Sequence, residues 1–171
     1  MPTRKDCLSL LKDTNCSENV IAHCKAVENL AIKIAKMTDA NKELVSRGAL
    51  IHDIGRGRTH GVKHAYEGAK IAKKLGLPDN IILIIERHIG AGLTKDEAKS
   101  VGLPAKDYIP ITLEEKIVAH ADNLIDENEK KPVAVVVKRF RKLGYNAAAD
   151  KILALHKELS KICKKDLDSI K

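Results

Sequence analysis

A histidine and an aspartate stand side by side in the string IHDIG at residues 51–55, where an apolar helix gives way to a glycine. Imidazole nitrogens and carboxylate oxygens can bind metals or transfer protons, and both are costly to bury without a partner. The apolar residues before His52 bring the pair close to a buried surface. His52 and Asp53 therefore indicate a binding site whose other residues must come from elsewhere in the chain.

Further residues of the same chemistry lie near the apolar faces or the ends of other predicted helices: His23 before this pair, and His64, His88 and Asp122 after it. His23 lies at the edge of the apolar stripe of its helix, where a lone histidine is more often a structural residue than a ligand. Asp122 follows Val118 by one turn, and His120 flanks the same stripe from its other side. Helical periodicity therefore does not decide between Asp122 and His120 as site residues.

The elements that must position these residues are predicted to be helices. The apolar pattern predicts them over residues 4–12, 18–37, 42–53, 64–75, 79–88, 132–143 and 147–166. Two capping boxes, Thr94 with Glu97 and Thr112 with Glu115, open two more, the second running to about residue 126. The run IILII at residues 81–85 fits a buried strand by period alone, but its Pro-Asp start favours a helix. The basic, glycine-bearing stretch 54–63 is predicted to be a loop.

The composition favours one helical domain. The chain has 171 residues, of which 44% are hydrophobic and only 2% aromatic, so its core must consist of Ala, Ile, Leu and Val. Few glycines and prolines interrupt it, and no convincing strand is found. We therefore predict an all-α, single-domain helical bundle of eight or nine helices over residues 1–171. Its motif-bearing core covers about residues 17–126, and C-terminal helices at 132–166 pack on it.

Charge and cysteine content narrow the classes of partner. The formal net charge is +8, which favours anionic ligands such as nucleotides or RNA, although a solvated lysine-rich surface accounts for it equally well. Four cysteines lack metal-knuckle spacing, and no secretory or membrane-length apolar run occurs. The sequence thus predicts a cytoplasmic protein with free thiols that makes no contact with a membrane.

The ordered set H…HD…H…H…D resembles the HD-domain superfamily of metal-dependent phosphohydrolases, in its HDIG-type branch. The strings HCKAVENLA, GALIHDIGR, HAYEGAKIA, IERHIGAG and AHADNL carry the resemblance, which covers residues 17 to about 126. The resemblance implies the HD-domain type of helical bundle. It also implies a site for divalent transition metal, and ligands without thiolate suit iron, manganese, cobalt or zinc.

The resemblance assigns metal ligands by position. One metal is implied at His23, His52, Asp53 and Asp122. A second is implied at His64 and His88, with Asp53 bridging the two ions, so that the centre is dinuclear. His60 competes with His64 for one of these positions, and the match of HAYEGAKIA favours His64.

The basic residues after the HD pair are the candidates for phosphate binding. Arg56 follows the motif directly and resembles a residue that some family members direct at phosphate, so Asp53 and Arg56 are the implied catalytic residues. Arg58 and Lys63 lie in the same loop and are further candidates for substrate binding. A solvated basic loop is an equal alternative for all three basic residues.

The implied function is hydrolysis of a phosphate ester or anhydride of a nucleotide-type substrate through a metal-activated water. Phosphomonoesterase, phosphodiesterase and dinucleoside polyphosphate hydrolase activities all remain open. A di-iron oxygenase of the HD type and a non-catalytic domain that binds nucleotide or RNA are the alternatives. RNA and a second copy of the chain are further partners that the sequence leaves open. The basic segment KRFRKLG at 138–144 is explained by RNA contact or, more simply, by a solvated helix face.

Overall fold

Nine α-helices make up most of residues 1–170, the part of the chain that the computed structural model describes. They are α1 (Arg4–Asp13), α2 (Glu18–Ala35), α3 (Lys42–Ile51), α4 (His64–Lys74), α5 (Asp79–Arg87), α6 (Lys95–Ser100), α7 (Leu113–Leu124), α8 (Val133–Lys142) and α9 (Asn146–Ile162). The predicted all-α fold is confirmed. Every helix within these residues is too short or too polar to cross a membrane.

Polar caps define where several helices begin. Ser17 caps α2 and Asn41 caps α3 by accepting hydrogen bonds from backbone N–H groups of the first turn. The box at Thr94 and Glu97 is reciprocal, as predicted. The second predicted capping box, Thr112 with Glu115, is correct for Thr112 but wrong for Glu115. Thr112 accepts from the N–H of Glu115, but the buried Glu115 carboxylate instead accepts from Ile111 N at 2.8 Å and from the Arg87 guanidinium at 2.9 Å.

The run IILII forms helix α5, as its flanking residues indicated. Pro78 stands just before the helix, and Ile81, Ile84 and Ile85 are buried at spacings of three and four residues. This spacing puts them on one face, which packs against α3, α4 and α7. Helix α5 is therefore central, and His88 at its end is carried into the interior.

Most predicted helix ends agree with the structure to within one or two residues, for example α2 at Ala35 and α3 at Ile51, and three further local features differ. Residues Ile54–Gly57 form a 3₁₀ turn within the predicted loop. Two short strands, β1 (Ile125–Asp126) and β2 (Glu129–Lys130), pair antiparallel where only helix and loop were predicted. Helix α9 ends at Ile162 and not at residue 166, because Lys164 adopts a left-handed backbone with φ of 51° that a helix cannot contain.

One apolar cluster extends from α1 to the residues after α9. Helix α2 packs against α3 and α7, and the pair α8 and α9 packs against α7. Close approach at two glycines brings the central elements together. A Cβ on Gly48 would lie 2.6 Å from the Ile84 side chain, and one on Gly55 would lie 1.9 Å from the backbone oxygen of His64. The 3₁₀ turn after Asp53 can therefore pack directly against the start of α4.

Substitution of Gly55 tests this close approach. Gly55→Ala should lower the free energy of unfolding by about 1–3 kcal/mol, because backbone atoms of α4 cannot move aside as a flexible side chain could. Gly61→Ala is the matched control in the same loop, since an added Cβ there would meet no atom within 4 Å. Denaturant unfolding of both variants measures the difference. Equal stabilities would show that the contact does not constrain the fold.

Candidate metal centre

Six side chains converge where the ends of α3 and α5 meet α2, α4 and α7. They are His23 on α2, His52 and Asp53 after α3, His64 at the start of α4, His88 after α5, and Asp122 on α7. His52, Asp53, His64 and His88 are almost completely buried, with no more than 4% of their surface exposed. The structure thus brings together all six residues that the resemblance implied, from five separate helices or their ends.

The first group surrounds Asp122. Its Oδ1 lies 2.9 Å from His23 Nε2 and 3.4 Å from His52 Nε2. The His52 ring nitrogen also lies 3.7 Å from Asp53 Oδ2. Asp53 therefore borders this group through one carboxylate oxygen.

The second group surrounds the other oxygen of Asp53. Its Oδ1 lies 2.9 Å from His64 Nε2 and 3.6 Å from His88 Nε2. These two ring nitrogens are themselves 2.9 Å apart. Asp53 thus belongs to the second group through Oδ1 and borders the first through Oδ2, and this position fits a bridging ligand.

Backbone carbonyls determine which nitrogen of each imidazole faces inward. The Nδ1 atoms of His52, His64 and His88 lie 2.7–2.8 Å from the carbonyl oxygens three residues earlier, and His23 Nδ1 lies 2.8 Å from the carbonyl of Glu127. A carbonyl only accepts hydrogen bonds, so Nδ1 must carry the proton. In the neutral imidazole, Nε2 is then unprotonated and carries a free lone pair.

The inward Nε2 atoms and the two carboxylates are all hydrogen-bond acceptors, and they lie close to one another. Among the residues that the structure describes, His52 Nε2 and Asp53 Oδ1 are buried and find no hydrogen-bond partner. Such a set is repulsive unless protons or a cation lie among its members. Neutral imidazole and carboxylate are also the ligands that first-row transition metals accept, and their hydrogen-bonded Nδ1 groups are typical of metal-binding histidines. The clusters are thus able to hold metal.

The titration behaviour follows from the same arrangement. Burial lowers the pKa of His52, but the carboxylates of Asp53 and Asp122 outweigh burial and leave that pKa well above the ordinary imidazole value. Burial raises the pKa of Asp53, but the charge of His52 and the close imidazoles of His64 and His88 hold it well below its ordinary value. Protons therefore compete with any metal for His52, while both carboxylates stay ionised near neutrality.

The remaining histidines lie apart from the cluster. His60, the rival of His64, is exposed at the edge of a neighbouring cavity, where its backbone oxygen accepts from Arg56. His120 Nε2 pairs with His156 Nδ1 at 3.0 Å, and His156 Nε2 reaches Asp166 at 3.1 Å. Burial and the nearby His156 lower the pKa of His120 to about 3, so His120 stays neutral.

A cysteine that the sequence did not single out lies beside the cluster. The Cys24 sulfur is fully buried and within 4.8 Å of ligand atoms of both His52 and Asp53. Burial raises the pKa of this thiol, so it is protonated at neutral pH. Cys24 therefore packs as a small apolar residue under the ligands.

A cavity of about 390 Å³ opens beside the cluster. Its lining consists of Asn19, Val20, His23, Asp53, Arg56, His60, Glu127 and Asn128. The Arg56 Nε donates to Asp53 Oδ2, which fixes the guanidinium between the cluster and the cavity. Arg58 and Lys63 are exposed and lie outside this lining. Of the three predicted basic residues, the structure brings only Arg56 to the cavity.

No local sequence signal pointed to Asn19, Glu127 or Asn128. Glu127 occupies the turn between β1 and β2 with φ of 53°, a left-handed conformation uncommon for a residue with a side chain. In this turn its carbonyl reaches His23, which lies 104 residues earlier in the chain. These residues join the site through long-range packing.

Comparisons with known proteins agree with this geometry. A family model described as HD domain matches residues 20–127. An uncharacterized protein of Methanocaldococcus jannaschii is 51% identical over 92% of this chain and 96% of its own length. A tRNA (cytidine(56)-2'-O)-methyltransferase of Picrophilus torridus is 44% identical over 99% of this chain, which spans about half of that relative.

A solved structure shares the fold. The HD domain of the Listeria monocytogenes phosphodiesterase PgpH, in complex with cyclic-di-AMP, aligns with a TM-score of 0.62 over 94% of each chain at 22% identity. At that identity the likeness establishes the fold alone. Together with the family match along residues 20–127, it shows that this chain belongs to the HD-domain family.

Proposed function

We propose that this protein is a metal-dependent phosphohydrolase that cleaves a phosphate ester or anhydride of a nucleotide-type substrate. The observation that carries the proposal is the set of inward Nε2 atoms and carboxylates beside a cavity that also contains an arginine. The family supports this reaction type, and the PgpH domain of the same fold is a phosphodiesterase crystallised with a cyclic dinucleotide.

The two groups of ligands support a dinuclear centre. His23, His52 and Asp122 would hold one ion, His64 and His88 the other, and Asp53 would contact both. When bound, such a metal pair activates water and neutralises charge on a phosphate. The donor atoms suit iron, manganese, cobalt or zinc.

Side chains of the cavity would bind and orient the substrate. The Nε of Arg56 donates a hydrogen bond to Asp53, while its Nη1 makes only a long contact of 3.4 Å with the backbone oxygen of His60. The outer guanidinium nitrogens can therefore donate to a phosphate oxygen. Asn19 and Asn128 offer amide groups for a base or ribose, and about 390 Å³ is within the usual range for small-molecule sites.

RNA is the partner that the relatives favour. The Picrophilus torridus protein, whose name is that of a tRNA methyltransferase, matches 99% of this chain. The matched half folds here as an HD domain, so we propose hydrolysis and not methyl transfer for this chain. The relative supports RNA, or a nucleotide derived from RNA, as the class of substrate or partner.

Replacing the bridging residue tests the proposal. Asp53→Asn should reduce bound metal from about two ions per chain and slow hydrolysis of bis(4-nitrophenyl) phosphate by about 100-fold or more, because both ligand groups lose an anionic oxygen. His64→Ala should leave about one ion. His60→Ala is the control and should keep its metal, since His60 lies outside the cluster. Full metal content and full turnover in Asp53→Asn would show that the site is misplaced.

The effect of metal on stability should depend on pH. In the metal-free protein the raised pKa of His52 contributes stability that is fully present below the unfolded pKa of about 6.5 and is lost as pH rises through the folded value. The lowered pKa values of Asp53 and Asp122 contribute stability that is lost only at much lower pH. Metal displaces the His52 proton, so metal should stabilise more as pH rises.

Thermal unfolding with and without Mn²⁺, between about pH 6 and pH 9, measures this effect. The added free energy should grow by up to about 1.4 kcal/mol per pH unit for each proton displaced. Asp53→Asn should show a much smaller effect of metal throughout. An effect of metal that stays constant or shrinks with rising pH would contradict protonation of a ligand histidine.

Arg56 should act on substrate and not on metal. Arg56→Ala should lower kcat/KM for a phosphodiester by about 10- to 100-fold, the range for a lost charge-assisted hydrogen bond, while metal content stays the same. Arg58→Ala is the matched control, because this exposed arginine lies outside the cavity. Equal effects of the two substitutions on kcat/KM would remove Arg56 from the proposed binding site.

A further inference from the structure

Helices α8 and α9 lie beyond the matched HD-domain region, and no step proposed above uses them. Residues 132–170 contain nine lysines and arginines but four acidic residues, so this segment carries +5 of the formal net charge of +8. A charge excess so concentrated gives one end of the molecule a field that attracts anions.

Two adjoining open depressions lie along the two helices and together make up a groove. One part, of about 580 Å³, is lined by α8 residues and Leu153, and the other, of about 660 Å³, by α9 residues and the segment after it. Both parts share Val133 and Leu153, which form an apolar floor. Exposed lysines form the two rims: Lys138 and Lys142 on α8, and Lys157, Lys161, Lys164 and Lys165 on or just after α9.

These rim lysines are not neutralised by the protein. The other basic residues of the two helices form ion pairs: Arg139 with Asp126, Arg141 with Asp150, and Lys151 with Glu97. Within residues 1–170, no carboxylate lies at ion-pair distance from the six rim lysines.

Two carboxylates, those of Asp166 and Asp168, also line the α9 side of the groove, where they accept hydrogen bonds from the protein. Asp166 accepts from His156 and from the N–H of Asp168, while the Asp168 carboxylate accepts from Val133 N. Six rim lysines against these two carboxylates leave the groove with an excess of positive charge.

The spacing of the lysines suits a row of negative charges. Lys157 and Lys161 are four residues apart, so they lie on one face of α9, about 6 Å apart along its axis, and Lys164 and Lys165 follow just after the helix ends at Ile162. The set of lysines therefore extends past the size of a single phosphate. Tyr145, between the two helices, exposes 61% of its surface and offers an aromatic ring on which a base can stack.

The short hairpin formed by β1 and β2 contacts both this groove and the proposed catalytic cavity. Asn128, in its turn, lines the cavity. Lys130 of β2 donates to the carbonyls of Leu167, Asp168 and Ile170, in the segment that borders the groove. The hairpin therefore contacts both the cavity and the segment that borders the groove.

We propose that the groove between α8 and α9 binds the phosphate backbone of an RNA. The row of exposed lysines without an ion-pair partner and the exposed tyrosine support a nucleic acid. The choice of RNA over another polyanion rests on the proposed function, since the hairpin joins the groove to a site proposed to act on nucleotide-type phosphates. Binding in the groove requires no metal and no side chain of the catalytic cavity.

Fluorescence anisotropy with a labelled tRNA transcript, over a series of salt concentrations, tests the proposal. The triple variant Lys157→Gln/Lys161→Gln/Lys164→Gln should bind at least 10-fold more weakly. Its slope of log K against log salt should be shallower by about two to three, because each lost phosphate contact removes about 0.7–0.9. The matched control is Lys73→Gln/Lys74→Gln/Lys99→Gln, which removes equal charge from exposed lysines on α4 and α6 and should bind as the parent does.

Two further measurements separate this proposal from the catalytic one. The groove variant should keep its metal and its hydrolysis of bis(4-nitrophenyl) phosphate, while Asp53→Asn should keep RNA binding. If no variant hydrolyses phosphate, the catalytic proposal fails and the anisotropy still decides on the groove. Absence of RNA binding by the parent, or equal loss in both triple variants, would overturn the groove proposal. Tighter lysine-dependent binding to phosphatidylglycerol vesicles or to polyglutamate would also overturn it.

Discussion

The hydrogen bond from imidazole Nδ1 to a backbone carbonyl is the interaction on which the site depends. His52 and His88 are the residues that terminate α3 and α5, and each donates to the carbonyl three residues earlier. The last carbonyls of a helix have no partner within it, so each histidine satisfies one and directs its Nε2 inward. This explains why the helix before the HD pair ends on a histidine: its ring caps the helix and faces the cluster at once.

The surrounding fold holds these helix ends together. Gly48 allows α3 and α5 to approach, and Gly55 allows the 3₁₀ turn to press against α4, so that His64 reaches Asp53. The orientation of the His23 imidazole depends on the hairpin, because Glu127 must adopt a left-handed backbone for its carbonyl to reach His23. The same hairpin continues to Lys130, whose side chain donates hydrogen bonds to the segment after α9. One small element thus contacts both the cluster and the basic groove.

The sequence predicted the helices well because their caps and apolar spacing are local. The run IILII shows this, since its flanking Pro-Asp decided for a helix that the structure confirms. Helical periodicity did not show which of Asp122 and His120 belongs to the site, because the two residues lie on opposite sides of one apolar stripe. Only long-range contacts distinguish them: Asp122 meets His23 and His52, whereas His120 meets His156. The order of the ligands came from resemblance to a family, and their roles as ligands remain predictions.

Other features of the site had no local signal at all. Cys24, Asn19 and the carbonyl of Glu127 reach it through packing between segments far apart in sequence. The 3₁₀ turn determines which basic residue of the loop faces the cavity, and neither its presence nor the separation of Arg56 from Arg58 follows from composition. The two β-strands escaped prediction because two residues each are too few to show a period.

The histidine tautomers can be measured directly. Long-range ¹H–¹⁵N spectra of the Zn²⁺-loaded protein report, for each imidazole, which nitrogen carries the proton. We expect Nδ1–H with metal-bound Nε2 for His23, His52, His64 and His88, and no such change for the exposed His60. Protonated Nε2 at any of the four, with Nδ1 deprotonated, would contradict the orientation on which the proposed metal centre rests.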